Sequence, residues 1–120
     1  SGDGGVSWFL PRIVGRHKAF ESLLLADRFN ADEALRLGVA NKVVALAELD
    51  AAVAALVGRF LRGPRETYAE MKRLLNQSPD QSLDAQLQLE AEAFARCAAR
   101  PDFDEGLNAF FAKRKPSFNG

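Results

Sequence analysis

Apolar residues recur at helical spacing along most of this chain, and that periodicity restricts the fold more than any other feature. Leu49, Val53, Leu56 and Phe60 stand at i, i+4, i+7 and i+11, and Leu83, Leu87, Ala91, Phe94 and Ala98 draw the longest stripe before Pro101. Side chains so spaced share one face of an α-helix and are buried together. A strand needs alternation with period two, and Lys42-Val43-Val44-Ala45 is nearly the only run that reads as one. The fold class is therefore mainly α, with about six helices and at most one or two short strands.

Local signals place the helix ends. Phe20, Leu23 and Leu24 predict a helix over residues 15–27. Asn30 followed by Glu33 has capping-box spacing, which predicts a short helix over 31–37 that Gly38 stops in the left-handed conformation. The Leu49 stripe predicts a helix over 46–61. Gly63-Pro64 breaks it, with Pro64 suited to the first position of the next helix and Tyr68, Met71, Leu74 and Leu75 on its buried face. Ser78, with Pro79 and Gln81, resembles the capped start of the Leu83 helix. Asp102 and Glu105 have capping-box spacing for a last helix anchored by Leu107, Phe110 and Phe111. Lys113-Arg114-Lys115 complements its negative end and Pro116 prevents continuation.

Composition narrows the function classes. With 120 residues, 48% hydrophobic and 27% charged, the chain suits one globular domain, 1–120, and excludes disordered or collagen-like classes. Sixteen basic side chains balance sixteen acidic ones, seven of each up to Phe60 and nine of each after it, so no nucleic-acid partner is expected. The strongest apolar stretches, 23–26 and 51–57, fall far short of the roughly 20 residues of a membrane span. Cys97 has no second cysteine to pair with and, with the single His17, forms no Cys/His zinc site, so a reducing, cytoplasmic setting and no metal are expected. His17 reads as a helix-surface residue and Cys97 as a small buried hydrophobe. No signal peptide is legible.

The beginning is abrupt. The turn-forming stretch Ser1-Gly2-Asp3-Gly4-Gly5 runs straight into the apolar Val6-Ser7-Trp8-Phe9-Leu10. Together with a strand that has no partner in this sequence, it leads to the expectation that the rest of a sheet lies upstream.

Three ordered motifs carry a family likeness. They are Asp3-Gly4-Gly5 with Leu10-Pro11-Arg12-Ile13-Val14-Gly15, then Ala31-Asp32-Glu33-Ala34-Leu35-Arg36-Leu37-Gly38-Val39-Ala40-Asn41-Lys42-Val43-Val44, and Asp104-Glu105-Gly106 before Phe110-Phe111-Ala112-Lys113-Arg114-Lys115-Pro116. Together they resemble the C-terminal half of the enoyl-CoA hydratase/isomerase, or crotonase, superfamily, over essentially the whole chain. The resemblance implies a parent of about twice this length, whose N-terminal β-β-α spiral core is missing here and whose C-terminal helical region this chain supplies. It implies chemistry at a coenzyme A thioester. Two backbone N–H groups hold the thioester oxygen as an enolate-like intermediate forms, and carboxylates move protons or direct water. The oxyanion-hole loop and the first hydratase carboxylate would lie upstream of Ser1, so the isolated chain is expected to be inactive. Coenzyme A enters as part of the substrate, and no separate cofactor is implied.

Carried over residue by residue, the resemblance implies four site positions. Asp3 matches an aspartate that in isomerase-like members and a CoA-thioester dehalogenase acts as proton shuttle or nucleophile, where typical hydratases carry a small residue. Its alternative reading is a solvent-exposed turn residue beside glycine. Gly4 and Gly5 fit a tight turn at the start of a helix and belong to no phosphate-loop motif. Trp8, with Phe9, matches residues lining the acyl pocket, with plain core packing as the alternative. Phe110 and Lys113 match an aromatic ring and an ammonium brought to the adenine and phosphate end of coenzyme A, in some members from a neighbouring subunit. The alternative makes Phe110 core and gives Lys113-Arg114-Lys115 only the helix C-terminus. Arg12 and Arg16 are read as solvated helix-end charges, with phosphate contact as the alternative.

Two functions compete on these grounds. The first is the C-terminal region of an acyl-CoA hydratase or isomerase of fatty acid metabolism, with Asp3 favouring proton-shuttling chemistry and with trimers or hexamers as the assembly. The second is a non-catalytic helical oligomerisation or interaction module derived from the same family. Either way the isolated chain is expected to self-associate through uncovered apolar faces.

Overall fold

The computed structural model describes residues 2–118, and all regular secondary structure among them is helical. Two compact units follow one another, Ser1–Leu49 and Asp50–Gly120.

In the first unit, α1 (Val6–Val14) and α2 (Arg16–Leu25) pack on each other across Gly15. The apolar segment at residues 6–10 thus forms a helix of its own, additional to the six predicted. Gly15 has φ 80°, ψ 155°, a backbone conformation that glycine reaches without steric cost, and it turns the chain between the two helices. Ala19, 1% exposed, is small enough to be covered completely in this helix pair. The next helix, α3 (Ala31–Arg36), starts as its sequence predicts: Glu33 N–H donates to Asn30 Oδ1 at 2.9 Å. The reciprocal half of the box is not made, because the Glu33 carboxylate accepts from Arg36 at 2.6 and 2.7 Å instead. Gly38, at φ 76°, ends the helix, with Gly38 N–H donating to Leu35 O and Val39 N–H to Ala34 O. These two bonds make a Schellman motif.

The strand expected at Lys42-Val43-Val44-Ala45 does not form. This run is irregular and leads into a 3₁₀ turn at Leu46–Glu48. A strand exists only through the partner that satisfies its backbone, and none of the described residues supplies one.

The second unit begins with α4 (Leu49–Leu61), followed by α5 (Arg65–Gln77), α6 (Leu83–Ala98) and α7 (Pro101–Phe111). Pro64 caps α5 rather than occupying its first turn. The Tyr68 ring fills the space that a Cβ at Gly63 would need and meets Phe60 edge to face at 5.7 Å. Ser78 is not the cap of α6. Its hydroxyl donates to Leu75 O and finishes α5, while Ser82 Oγ accepts from Ala85 N–H at 3.2 Å and starts α6. Ser82 immediately precedes the first residue of the stripe, and that adjacency is the signal that should have decided between the two serines. Asp102 is likewise inside α7, not at its cap. Pro101 takes the first helical position, where its missing N–H and fixed φ suit it, and Arg100 becomes the cap.

Helices α5 and α6 meet at Leu74 and Ala93, both buried. Glu70 ties them together, accepting from Arg96 on α6 at 2.8 and 3.0 Å and from Arg73 on its own helix. Those hydrogen bonds, Arg96 first and then Arg73, hold the Glu70 carboxyl down at about 2. Phe94 and Phe103 join α6 to α7 edge to face at 5.9 Å. Among the described residues the buried apolar side chains are few, alanines apart from Leu74, and many large ones, including Leu46, Leu61 and Phe111, remain exposed.

Candidate functional site

The Asp3 turn is built by two consecutive glycines. Gly4 and Gly5 have φ 59° and 83°, both left-handed, where an L-residue is strained. A Cβ on Gly5 would also press within 3.1 to 3.2 Å of the Phe9 ring. The turn closes with Val6 N–H donating to Asp3 O at 3.1 Å and with Trp8 and Phe9 N–H groups donating to Gly5 O. Asp3 therefore stands exposed just ahead of the N-terminal end of α1, with no side-chain partner among the described residues. The helix end is also the positive end of the α1 dipole, a setting that favours negative charge.

Trp8, one turn along α1, is 46% exposed. The Arg12 guanidinium lies 3.7 Å from its ring centroid, and Arg12 Nη1 donates to Trp8 O at 2.8 Å. Phe9 meets the same ring edge to face at 4.9 Å. Arg12 is thus an exposed charge in the last turn of α1, as expected, and also a cation–π partner of Trp8. Spacing of four on a helix could have suggested that contact.

The second cluster lies at the end of α7. Phe110 is 77% exposed and packs edge to face with Phe111 at 5.6 Å. Lys113 has φ 53°, Lys113 N–H donates to Phe110 O at 3.2 Å, and Arg114 N–H donates to Ala109 O at 3.0 Å. This is again a Schellman ending, with lysine where glycine is usual. Arg114 donates through both terminal nitrogens to Glu105, at 2.7 and 2.8 Å, and Ser117 N–H donates to the same carboxylate at 2.6 Å. The Arg114 hydrogen bonds and then that of Ser117 hold the Glu105 carboxyl at about 2, and Glu105 in turn raises Arg114. Of the three basic residues, Arg114 serves the fold, whereas the Lys113 and Lys115 ammonium groups have no partner among the described residues.

The sequence reading missed Glu105 as the centre of this clasp, since its partners lie nine and twelve residues away and outside helical periodicity. Asp3 and Trp8 belong to the first unit and Phe110 and Lys113 to the second. His17 is exposed, and Cys97 is half-buried rather than buried, lining hollows beside α5 and α6. One such hollow, of about 490 Å³, is lined by Leu74, Leu75 and Phe94, and Gln86 Oε1 is buried beside it without a hydrogen-bond partner. No cluster of three or more His, Cys, Asp or Glu that could hold a metal occurs among the described residues, and none of their helices is long and apolar enough to cross a membrane.

Comparison with known proteins places the chain in one family of enzymes. The family Enoyl-CoA hydratase/isomerase matches residues 2–120, and the chain belongs to it. It is 40% identical over 109 residues to the crotonyl-CoA hydratase of Syntrophomonas wolfei, covering 91% of this chain and 42% of that protein. It is 34% identical to the 1,2-epoxyphenylacetyl-CoA isomerase of Escherichia coli K12, covering 98% of this chain and 45% of that protein. Among solved structures, an enoyl-CoA hydratase from Polaromonas sp. JS666 superposes with a TM-score of 0.91 at 31% identity, covering 99% of this chain and 46% of that one. The chain thus spans less than half the length of these relatives, and its helices match the C-terminal region of the crotonase fold.

Proposed function

We propose that this chain is the C-terminal region of an enzyme that processes acyl-CoA thioesters through an oxyanion-stabilised enolate, with Asp3 as the proton shuttle. The observation that carries the reading is the exposed Asp3 carboxylate ahead of α1, without a side-chain partner among the described residues and presented by a turn that needs glycine at both Gly4 and Gly5. A carboxylate so placed takes a proton from the carbon next to the thioester, leaves a dienolate, and returns the proton two carbons further on, which moves the double bond. The negative oxygen of the intermediate requires two N–H donors, and the residues that supply them and the remaining carboxylates belong to the other half of the enzyme. The isolated chain is inactive on this reading.

Trp8 lines the acyl end. Its ring is about half covered, which suits a wall more than a gate. Phe110 and Lys113 take the nucleotide end of coenzyme A, the ring stacking on adenine and the ammonium meeting phosphate. Coenzyme A is carried by the substrate and no other cofactor is used. The setting is cytoplasmic, in keeping with a single unpaired cysteine.

The enzyme is a homo-oligomer, a trimer or hexamer. The large apolar side chains left exposed in both units support an assembly that covers them. The same observation favours a second reading, a non-catalytic oligomerisation module. Turnover separates the two. The full-length enzyme is to be assayed on 2-enoyl-CoA and 3-enoyl-CoA thioesters, following hydration and double-bond migration separately, with Asp3→Asn alongside. Loss of isomerisation by about a hundredfold or more in a folded Asp3→Asn protein supports the shuttle. Unchanged turnover makes Asp3 a turn residue and returns proton transfer to carboxylates upstream. An inactive wild type that still assembles favours the module.

A further inference from the structure

The Glu105 clasp has more structure than a helix end needs. A Schellman motif closes on its own with two backbone hydrogen bonds, as at Gly38, yet at the end of α7 one carboxylate adds three more. Those three bonds immobilise Arg114 and the chain at Ser117, on the far side of Lys113. On its near side Lys113 is held by its own N–H bond to Phe110 O. The residue between these anchors adopts φ 53°, which an L-residue does not choose freely. The clasp also neutralises Arg114, so the cation nearest Lys113 in sequence is already satisfied, while the Lys113 ammonium has no partner among the described residues.

From this we infer that Glu105 is a positioning residue for the nucleotide end of the coenzyme: through Arg114 it locks the left-handed backbone of Lys113 and so fixes where the Lys113 side chain leaves the helix end that also carries Phe110. The inference rests on the assignment of Phe110 and Lys113 made above. Glu105 itself does not touch the coenzyme. Rigid support of this kind limits the conformational freedom that binding would otherwise have to remove.

The test compares coenzyme A with pantetheine, which lacks the nucleotide, by calorimetric titration of the full-length enzyme. Glu105→Gln is expected to weaken coenzyme A by about tenfold and leave pantetheine unchanged. Arg114→Ala breaks the same clasp from the other side and is expected to give the same loss. The double variant should lose no more than either single one, because both act through one contact. Equal losses for coenzyme A and pantetheine would make Glu105 a general fold residue, and coenzyme A binding unaffected by Glu105→Gln would overturn the inference outright. So would additive losses in the double variant, which would mean that Arg114 meets phosphate itself. The assignment beneath it is judged separately: a wild type that binds the two ligands equally, or a Lys113→Ala variant with undiminished coenzyme A affinity, overturns that assignment and the inference with it.

Discussion

Helices α3 and α7 finish with the same pair of hydrogen bonds, but one turns on Gly38 and the other on Lys113. At Gly38 the residue itself suits the backbone, and the surroundings are open, since a Cβ there would meet nothing within 4 Å. At Lys113 the residue opposes the backbone and the surroundings hold it. Each helix also carries a Glu–Arg pair, Glu33–Arg36 within one turn of α3 and Glu105–Arg114 across the end of α7. The difference teaches that a helix end can be specified locally by glycine, or at a distance by a carboxylate that retains a side chain at the turn.

Substitutions can break this comparison in order of effect. The largest is expected at Gly38. Gly38→Val should lower stability by about 1–2 kcal/mol, seen as a lower urea midpoint with unchanged slope, because strain in the left-handed region is the only cost. A neutral result would mean that the end of α3 can be rebuilt without that conformation. Next comes the start of the same helix: Asn30→Ala should cost about 1 kcal/mol, and Ser82→Ala a similar amount at α6. Arg100→Ala, at a cap that makes no side-chain hydrogen bond, should cost less than either, and an equal loss would contradict the assigned caps.

The contrast sharpens at α7. Lys113→Gly should leave the unfolding free energy unchanged or raise it by about a few tenths of a kcal/mol, read in urea titration, because relieved strain is partly offset by a freer unfolded chain. A clear loss of stability would show that the lysine side chain itself supports the turn.

The smallest effect is in pH dependence. The Glu105 carboxyl is lowered from 4.5 to about 2 by Arg114 and Ser117, so it binds protons less readily folded than unfolded. Its contribution to stability is present above about pH 4.5 and is lost as pH falls toward 2. Because the ion pair is still open to water on its Arg114 side, it contributes modestly. A carbon-13 titration should put the Glu105 midpoint near 2, and a midpoint near 4.5 would mean that the clasp is not populated in solution. Glu33 should also titrate below 4.5 because of Arg36.

Much of the fold was readable from local pattern. The stripe from Leu83 to Ala98 became α6, Asn30 and Gly38 bounded α3, and Pro101 separated α6 from α7. These signals act within a turn or two of chain, where spacing alone decides which atoms meet. The errors have two characters, one local and one not. Ser78 finishes α5 through Leu75 O while Ser82 caps α6, and Lys42-Val43-Val44-Ala45 is irregular because a ladder needs a partner that none of the described residues supplies. Of the candidate site, the glycine turn ahead of α1 was legible and the Arg12 stack on Trp8 was open to its spacing of four, whereas the Glu105 clasp was not legible.

The sequence by itself determined the helical class, most helix boundaries and the family motifs, because periodicity, caps and glycine positions act through neighbouring backbone. Only the tertiary structure decided that Glu70 joins α5 to α6 and that Glu105 captures Arg114 and Ser117. A carboxylate chooses among many cations of equal charge by distance in space. In a chain with sixteen basic side chains, charge pattern alone leaves that choice open until packing brings two of them together.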